Sequence, residues 1–201
     1  MRYRETSLHR QMRKTTVALP RRTHATPVQT RLSPANEIRL PIATRDGQFI
    51  AHYSKLGLAG LDFPSARDLS TTLTNVPIPP LVADWHRATT AALNRALEGK
   101  PPQILPPLDL TSGTDFQQRV WNALREIRSG QTRSYGEIAR EIGQPNALRA
   151  VGGACGANPI PVFVPCHRVL AANRKIGGFS GGLDWKRKLL EREGLAVEWN
   201  R

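Results

Sequence analysis

The chain has 201 residues, room for one ordinary domain or two small ones, and its 39% hydrophobic and 22% charged residues are normal for a globular protein. No apolar run approaches the roughly 20 residues of a bilayer span, which excludes a transmembrane helix. The net charge of +13 is uneven: eight basic residues against Glu5 over residues 1–36, seven of each sign over 37–113, and fourteen basic against eight acidic from Thr114 onward. A polyanion suits this pattern because each Lys or Arg that meets a phosphate releases a counterion; a plain basic surface is the alternative.

Residues 1–36 are rich in Arg and Thr and carry no sustained apolar period, so they read as a basic disordered tail. The same Arg-rich, acid-poor composition also fits an organelle transit peptide. Ile38, Leu40 and Ile42 then alternate with Arg39, Pro41 and Ala43, Asp46-Gly47 supplies a hairpin turn, and Phe49–Tyr53 returns. Gly57–Phe63 reads as a third strand. Val82, Trp85, Ala88, Ala92, Leu93, Ala96 and Leu97 follow helical spacing from Leu81 to Glu98, where Gly99 ends the run. Residues 37–105 thus form a strand-and-helix unit. Pro101, Pro102, Pro106 and Pro107 make a stiff connector, with residues 106–113 as the linker.

Residues 114–201 are mainly helical. Thr114 and Gln117 have capping-box spacing, and Phe116, Val120, Leu124 and Ile127 line one face before Ser129-Gly130. Ser134 and Glu137 open a short helix that runs through Ile142 to Gly143. Asn146 is placed to cap the next, Ala147–Cys155. Short helix, tight turn, short helix is a helix-turn-helix outline. Gly152 and Gly153 each cost that second helix about 1 kcal/mol against alanine. Two compensations are open: close packing on another backbone, or a nucleic acid surface approached so nearly that side chains would obstruct it. Arg149 is the one long charged residue of this stretch.

The apolar run Pro159–Val164 reads as a buried strand or extended segment that Pro165 redirects, delivering Cys166 beside His167 and Arg168. Neighbouring His and Arg side chains lower a thiol pKa, and a histidine paired with an acid can accept the thiol proton. Trp185–Glu193 reads as a helix capped by Asp184 and ended by Gly194, with Leu189 and Leu190 inward. Glu193 shares that inward side, which makes it the acid for His167. Cys155, the second cysteine, reads as a small buried hydrophobe. Two cysteines make no disulfide framework, so a reducing cytoplasm is expected.

Pro165-Cys166-His167-Arg168-Val169 resembles the active-site signature of the O6-alkylguanine-DNA alkyltransferases, or methylated-DNA–protein-cysteine methyltransferases. The likeness extends to Ser134–Ala139, Arg149-Ala150-Val151-Gly152, Asn158-Pro159, Gly178-Phe179-Ser180-Gly181-Gly182 and Leu189–Gly194. It implies an α/β two-domain protein: a ribonuclease H-like N-terminal sheet with a helix, then a winged-helix-like C-terminal domain. It further implies direct, single-use transfer of an alkyl group from O6-alkylguanine, and by extension O4-alkylthymine, to Cys166. His167, a water and Glu193 would form the relay that ionises the thiol, and Asn158 would orient it. Tyr135 would donate to guanine N3. The carbonyls of Cys166 and Val169 would read the exocyclic amine, and the Ser180 amide would address O6. Arg149 would fill the gap left by the flipped nucleotide, with Ala150, Gly152 and Gly153 against the minor groove.

Phe179 stands where many members have tyrosine, and Ala157 replaces a residue that is often glycine. Some members bind zinc through N-terminal cysteines; residues 1–113 contain none, so neither metal nor cofactor is expected. The expected partner is double-stranded DNA bearing the lesion, the protein acting as a monomer. Three rivals remain. Alkyltransferase-like binding modules lack the cysteine, a helix-turn-helix regulator would bind an undamaged operator, and a cysteine hydrolase would need an oxyanion hole.

Overall fold

The computed structural model describes residues 37–65, 77–172 and 175–196; the expected basic tail, residues 1–36, lies outside them. Three antiparallel strands come first: β1 (Ile38–Thr44), β2 (Gly47–Tyr53) and β3 (Leu58–Asp62), in that spatial order. The β1–β2 register runs from Ile38↔Tyr53 to Thr44↔Gly47, so the hairpin loop is Arg45-Asp46 and Gly47 already opens β2. This is one residue earlier than the Asp46-Gly47 expectation. Leu40 and Ile42 bury one face of β1 as their alternation predicts. Helix α1 (Pro80–Leu97) covers the sheet, burying Val82, Thr89, Ala92, Leu93 and Leu97.

The proline-rich connector is no free spacer. The Leu58 amide donates to the Pro107 carbonyl (2.8 Å), and the Asp109 amide returns to Leu58 (2.7 Å). The edge of β3 is therefore occupied, which removes an open row of backbone groups. Gly57 has φ +148°, and a Cβ there would stand 2.1 Å from the Pro107 carbonyl oxygen, so only glycine allows this approach. Further along the same strand, the Leu61 amide donates to the Pro159 carbonyl (2.9 Å), tying the sheet to the segment ahead of Cys166.

Helices α2 (Asp115–Arg125) and α3 (Tyr135–Glu141) start with complete capping boxes, from Thr114/Gln117 and Ser134/Glu137. The short strand β4 (Arg133–Ser134) pairs in parallel with β5 (Val169–Leu170). Helix α4 (Leu148–Gly156) follows α3 across a turn, and α5 (Leu183–Arg192) closes the described chain. Two cap expectations fail. The N-cap of α4 is Ala147 rather than Asn146, and that of α5 is Gly182, with Asp184 inside the first turn; neither helix has a side-chain cap bond. Tertiary contacts hold both helices near their C-terminal ends instead. The Trp121 indole donates to the Ala154 carbonyl of α4 (2.8 Å), while Arg192 of α5 makes a bidentate pair with Asp46 (2.7 and 2.8 Å). One hydrophobic cluster runs from Leu40 through Trp121 and Val164 to Leu189, so both halves share a core. Among the described residues no helix is long and apolar enough to cross a membrane.

Candidate active site

The segment before Cys166 is not a strand. Residues 160–164 fold into a tight turn closed by the Val164 amide on the Ile160 carbonyl (2.9 Å), with Val162 at φ +75°. Positive φ is costly for a β-branched residue, of order 1–3 kcal/mol, so something must hold it. Asn158 does. Its Oδ1 accepts from the Ile160 amide (3.1 Å), and its Nδ2 donates to the Val164 carbonyl (2.7 Å) and to Cys166 Sγ (3.1 Å). The continuous apolar run that suggested a strand reflects burial alone: Ile160, Val162, Phe163 and Val164 are all in the core.

Cys166, His167 and Arg168 form one 3-10 turn after Pro165. Cys166 is 3% exposed, and burial pushes its thiol up, against smaller lowering effects from Asn158, Lys186 and the backbone amides of Cys166 and His167. This corrects the expectation that adjacent His and Arg would lower it. His167 is itself kept neutral by burial, while Arg168 turns away to Glu193 and to the Ile127 carbonyl (2.5 Å). The thiol rests protonated and must lose its proton to react.

His167 is paired with an acid. His167 Nε2 lies 3.0 Å from Glu193 Oε1, and Arg168 forks onto the same carboxylate at 2.8 to 3.2 Å. These hydrogen bonds and charges hold the Glu193 carboxyl down at about 2 despite its burial. A permanently ionised Glu193 on Nε2 favours a tautomer whose other nitrogen is basic. That nitrogen, Nδ1, is buried and has no protein hydrogen-bond partner among the described residues. It is free to take a proton.

Tyr135 opens α3 at the same centre. Burial, with the thiols of Cys155 and Cys166 adding to it, pushes its hydroxyl up to about 12, so it stays a donor at neutral pH. Its ring edge and hydroxyl lie close to Gly152 and Gly177: a Cβ on those glycines would stand 3.9 and 3.1 Å away. Phe179 packs edge-on to Phe63 of the sheet unit (5.6 Å between centroids) and faces His167 (6.4 Å). Ser180, Asn158 and Pro161 line one side of a cleft of about 480 Å³ whose other side is Leu61–Ser65. Val169 is buried in β5.

The expected residues thus fall into two sets. Asn158, His167 and Tyr135 gather at the buried Cys166 thiol, with Glu193 and Phe179 against His167, Val169 buried in β5 and Ser180 on the cleft that Asn158 also lines. Arg149, Ala150 and Gly153 form an exposed face of α4, with Gly152 between that face and Tyr135. A Cβ on Gly153 would meet nothing within 4 Å, so internal packing does not explain that glycine. The roles of three residues went unnoticed in the sequence. Arg168 locks Glu193, Phe63 buttresses Phe179, and Lys186 is completely buried. Lys186 stands one turn before Leu189/Leu190 and nearly two turns before Glu193 along the inward face of α5, a spacing that could have separated it from its neighbours Arg187 and Lys188. Among the described residues no group of three His, Cys, Asp or Glu side chains could hold a metal ion.

Residues 115–195 match the model of the 6-O-methylguanine DNA methyltransferase DNA-binding domain. The solved structure of Mycobacterium tuberculosis OGT in complex with DNA is 42% identical, superposes with a TM-score of 0.63, and is matched over 76% of this chain and 90% of its own. The chain belongs to the 6-O-methylguanine DNA methyltransferase family. A further M. tuberculosis structure, of O6-methylguanine methyltransferase, is 40% identical with the same TM-score over 78% and 92% of the two chains. The methylated-DNA–protein-cysteine methyltransferase of Mycobacterium bovis is 56% identical over 101 residues, which are 50% of this chain and 61% of that relative's length. The structural match, over 76% of the chain, extends beyond residues 115–195, the part that the family model covers and that contains Cys166.

Proposed function

We propose that this protein repairs DNA by transferring an alkyl group from O6 of guanine to Cys166, once per molecule. The observation that carries the reading is the buried thiol held by Asn158 beside a histidine that is paired with an ionised Glu193 and keeps a free Nδ1. The relatives named for methyl transfer between DNA and a protein cysteine, and the relative solved on DNA, support it.

The thiol proton passes to His167 Nδ1, directly or through a water, and Glu193 stabilises the imidazolium. The thiolate then attacks the O6-bound carbon; a sulfur–carbon bond forms as the carbon–oxygen bond breaks, and its electron pair leaves on guanine. A proton from Tyr135 to N3 lets the base depart neutral. Thioethers are poor leaving groups, so the sulfur keeps the carbon. A stacked base cannot reach a sulfur this deeply buried, so the nucleotide must be flipped. In this reading Arg149 enters the space it vacates, while Ala150, Gly152 and Gly153 lie against the minor groove. The open space at Gly153 and the basic balance of residues 114–201 support that docking.

The same reading makes residues 37–105 a ribonuclease H-like domain and residues 114–201 a winged-helix-like one, acting as a monomer in the cytoplasm, with O4-alkylthymine as a second substrate. The test is Cys166→Ala. Transfer from an O6-methylguanine duplex should vanish while duplex affinity stays within about threefold and weakens steeply with salt. Transfer by that variant would refute the assignment.

A further inference from the structure

Lys186 is 0% exposed, although it sits on α5 between half-buried Trp185 and exposed Arg187. Burying an ammonium is costly unless hydrogen bonds compensate, and those bonds show what it holds. Its Nζ donates to the Val169 carbonyl at 2.6 Å and to the Gly178 carbonyl at 3.3 Å. The first carbonyl belongs to β5, directly after the Cys166 turn. The second opens the Phe179–Gly182 segment, which Phe63 supports from the opposite side. One cation therefore ties the strand that follows the Cys166 turn to the segment whose Phe179 ring meets His167.

We propose that Lys186 is the positioning residue of this site, tying Val169 to Gly178 so that the base-reading backbone and the Phe179-Ser180 segment keep a fixed spacing over Cys166. This rests on the proposed alkyl transfer and adds to it a residue that touches neither substrate nor sulfur. A carbonyl oxygen has two lone pairs. Lys186 occupies one on Val169 and polarises that carbonyl, leaving the other to accept an exocyclic amine in a set direction. The charge also acts on the titrating groups around it. Burial brings Lys186 down to about 8, with the thiols of Cys166 and Cys155 opposing that shift; Lys186 in turn favours the Cys166 thiolate and disfavours charge on His167. Tyr135 from α3, and Arg168 with Glu193 beyond His167, complete the ionisable groups of this centre.

The full chain with Lys186→Met tests this: it removes the buried charge and leaves the Val169 and Gly178 carbonyls without that donor, and exchange in α2 reports whether the rest of the fold is intact. Lys186→Gln, which keeps a donor but no charge, is the second variant. Three quantities separate the outcomes: amide hydrogen exchange, transfer from an O6-methylguanine duplex, and the pH profile of Cys166 alkylation by iodoacetamide. Exchange across residues 178–182 should quicken in Lys186→Met while α2 is unchanged. Transfer should fall by about tenfold to a hundredfold, the scale of a displacement near 1 Å. The iodoacetamide profile should move to higher pH in both variants, with exchange less affected in Lys186→Gln. Unchanged exchange and transfer would overturn the proposal, as would a uniform rise in exchange through α2 and the sheet. If the unaltered protein fails to transfer alkyl groups at all, the functional reading falls, and exchange with the iodoacetamide profile still decides the role of Lys186.

Discussion

Helices α2 and α3 differ from α4 and α5 in how they begin. The first pair carry both halves of a capping box, so their own sequence satisfies the free amides of the first turn. The second pair have no side-chain cap and are held by Trp121, Asp46 and the buried Lys186. The division does not separate functional from structural helices in the proposed reading, because α3 carries Tyr135. Helices α2 and α3 are specified locally, whereas the helices that carry Arg149, Lys186 and the approach to Glu193 depend on the rest of the molecule for their placement.

The largest test of that division is at the end of α5. Glu193→Gln removes the charge that pairs with His167 and Arg168, and transfer should slow by about a hundredfold or more, the range of lost acid–base assistance. Arg168 is left without its ion partner, and breaking a buried pair this way costs about 3–5 kcal/mol, read as a lower denaturation midpoint. The pH dependence has a definite sign. Glu193 is held at about 2 against an ordinary 4.5, so its contribution is complete above 4.5 and is lost as pH falls toward 2. His167, whose pKa is lowered by burial, adds acid sensitivity below its ordinary 6.5. Denaturation midpoints from pH 7 to pH 2 should show a shallower acid decline in Glu193→Gln.

At the start of α4, Arg149→Ala should slow repair of duplex DNA by about tenfold, an effect of roughly 1.4 kcal/mol on flipping. Reaction with the free alkylated base should barely change. Equal slowing of both would place Arg149 in the chemistry instead. Gly153→Ala sharpens the comparison within the same helix. Nothing lies within 4 Å of the added carbon, so the fold should gain up to about 1 kcal/mol from helix propensity. Duplex affinity should fall if the face meets DNA. Smallest are the caps themselves. Thr114→Ala should cost about 1 kcal/mol of stability, and Asn146→Ala only a few tenths, because the first loses a cap bond and the second has none to lose. Thermal or chemical denaturation of the two variants measures the difference.

The same contrast marks what could be read from the sequence. Strands β1 to β3, helices α1 to α3 and the capped starts of α2 and α3 followed from alternation, helical period and capping residues, all of which are local, although α2 ends at Arg125 rather than running on to Ser129-Gly130. Asn146 and Asp184 misled because a capping residue type within a turn of a helix start need not be the cap. The Pro159–Val164 run misled because burial and strand formation share one apolar signature; the turn at Val162 depends on Asn158 reaching across it. The reactive set around Cys166 was legible as a motif. The raised thiol was not, since it depends on burial that adjacent sequence cannot show. Lys186 looked like one of three basic residues in a row.

The most direct measurement is intact-protein mass after exposure to a duplex containing one O6-methylguanine, followed by peptide mapping. The account predicts one added methyl group per molecule, located on Cys166, with no second addition at excess DNA. An unchanged mass, or a label on Cys155 or any other residue, would contradict it.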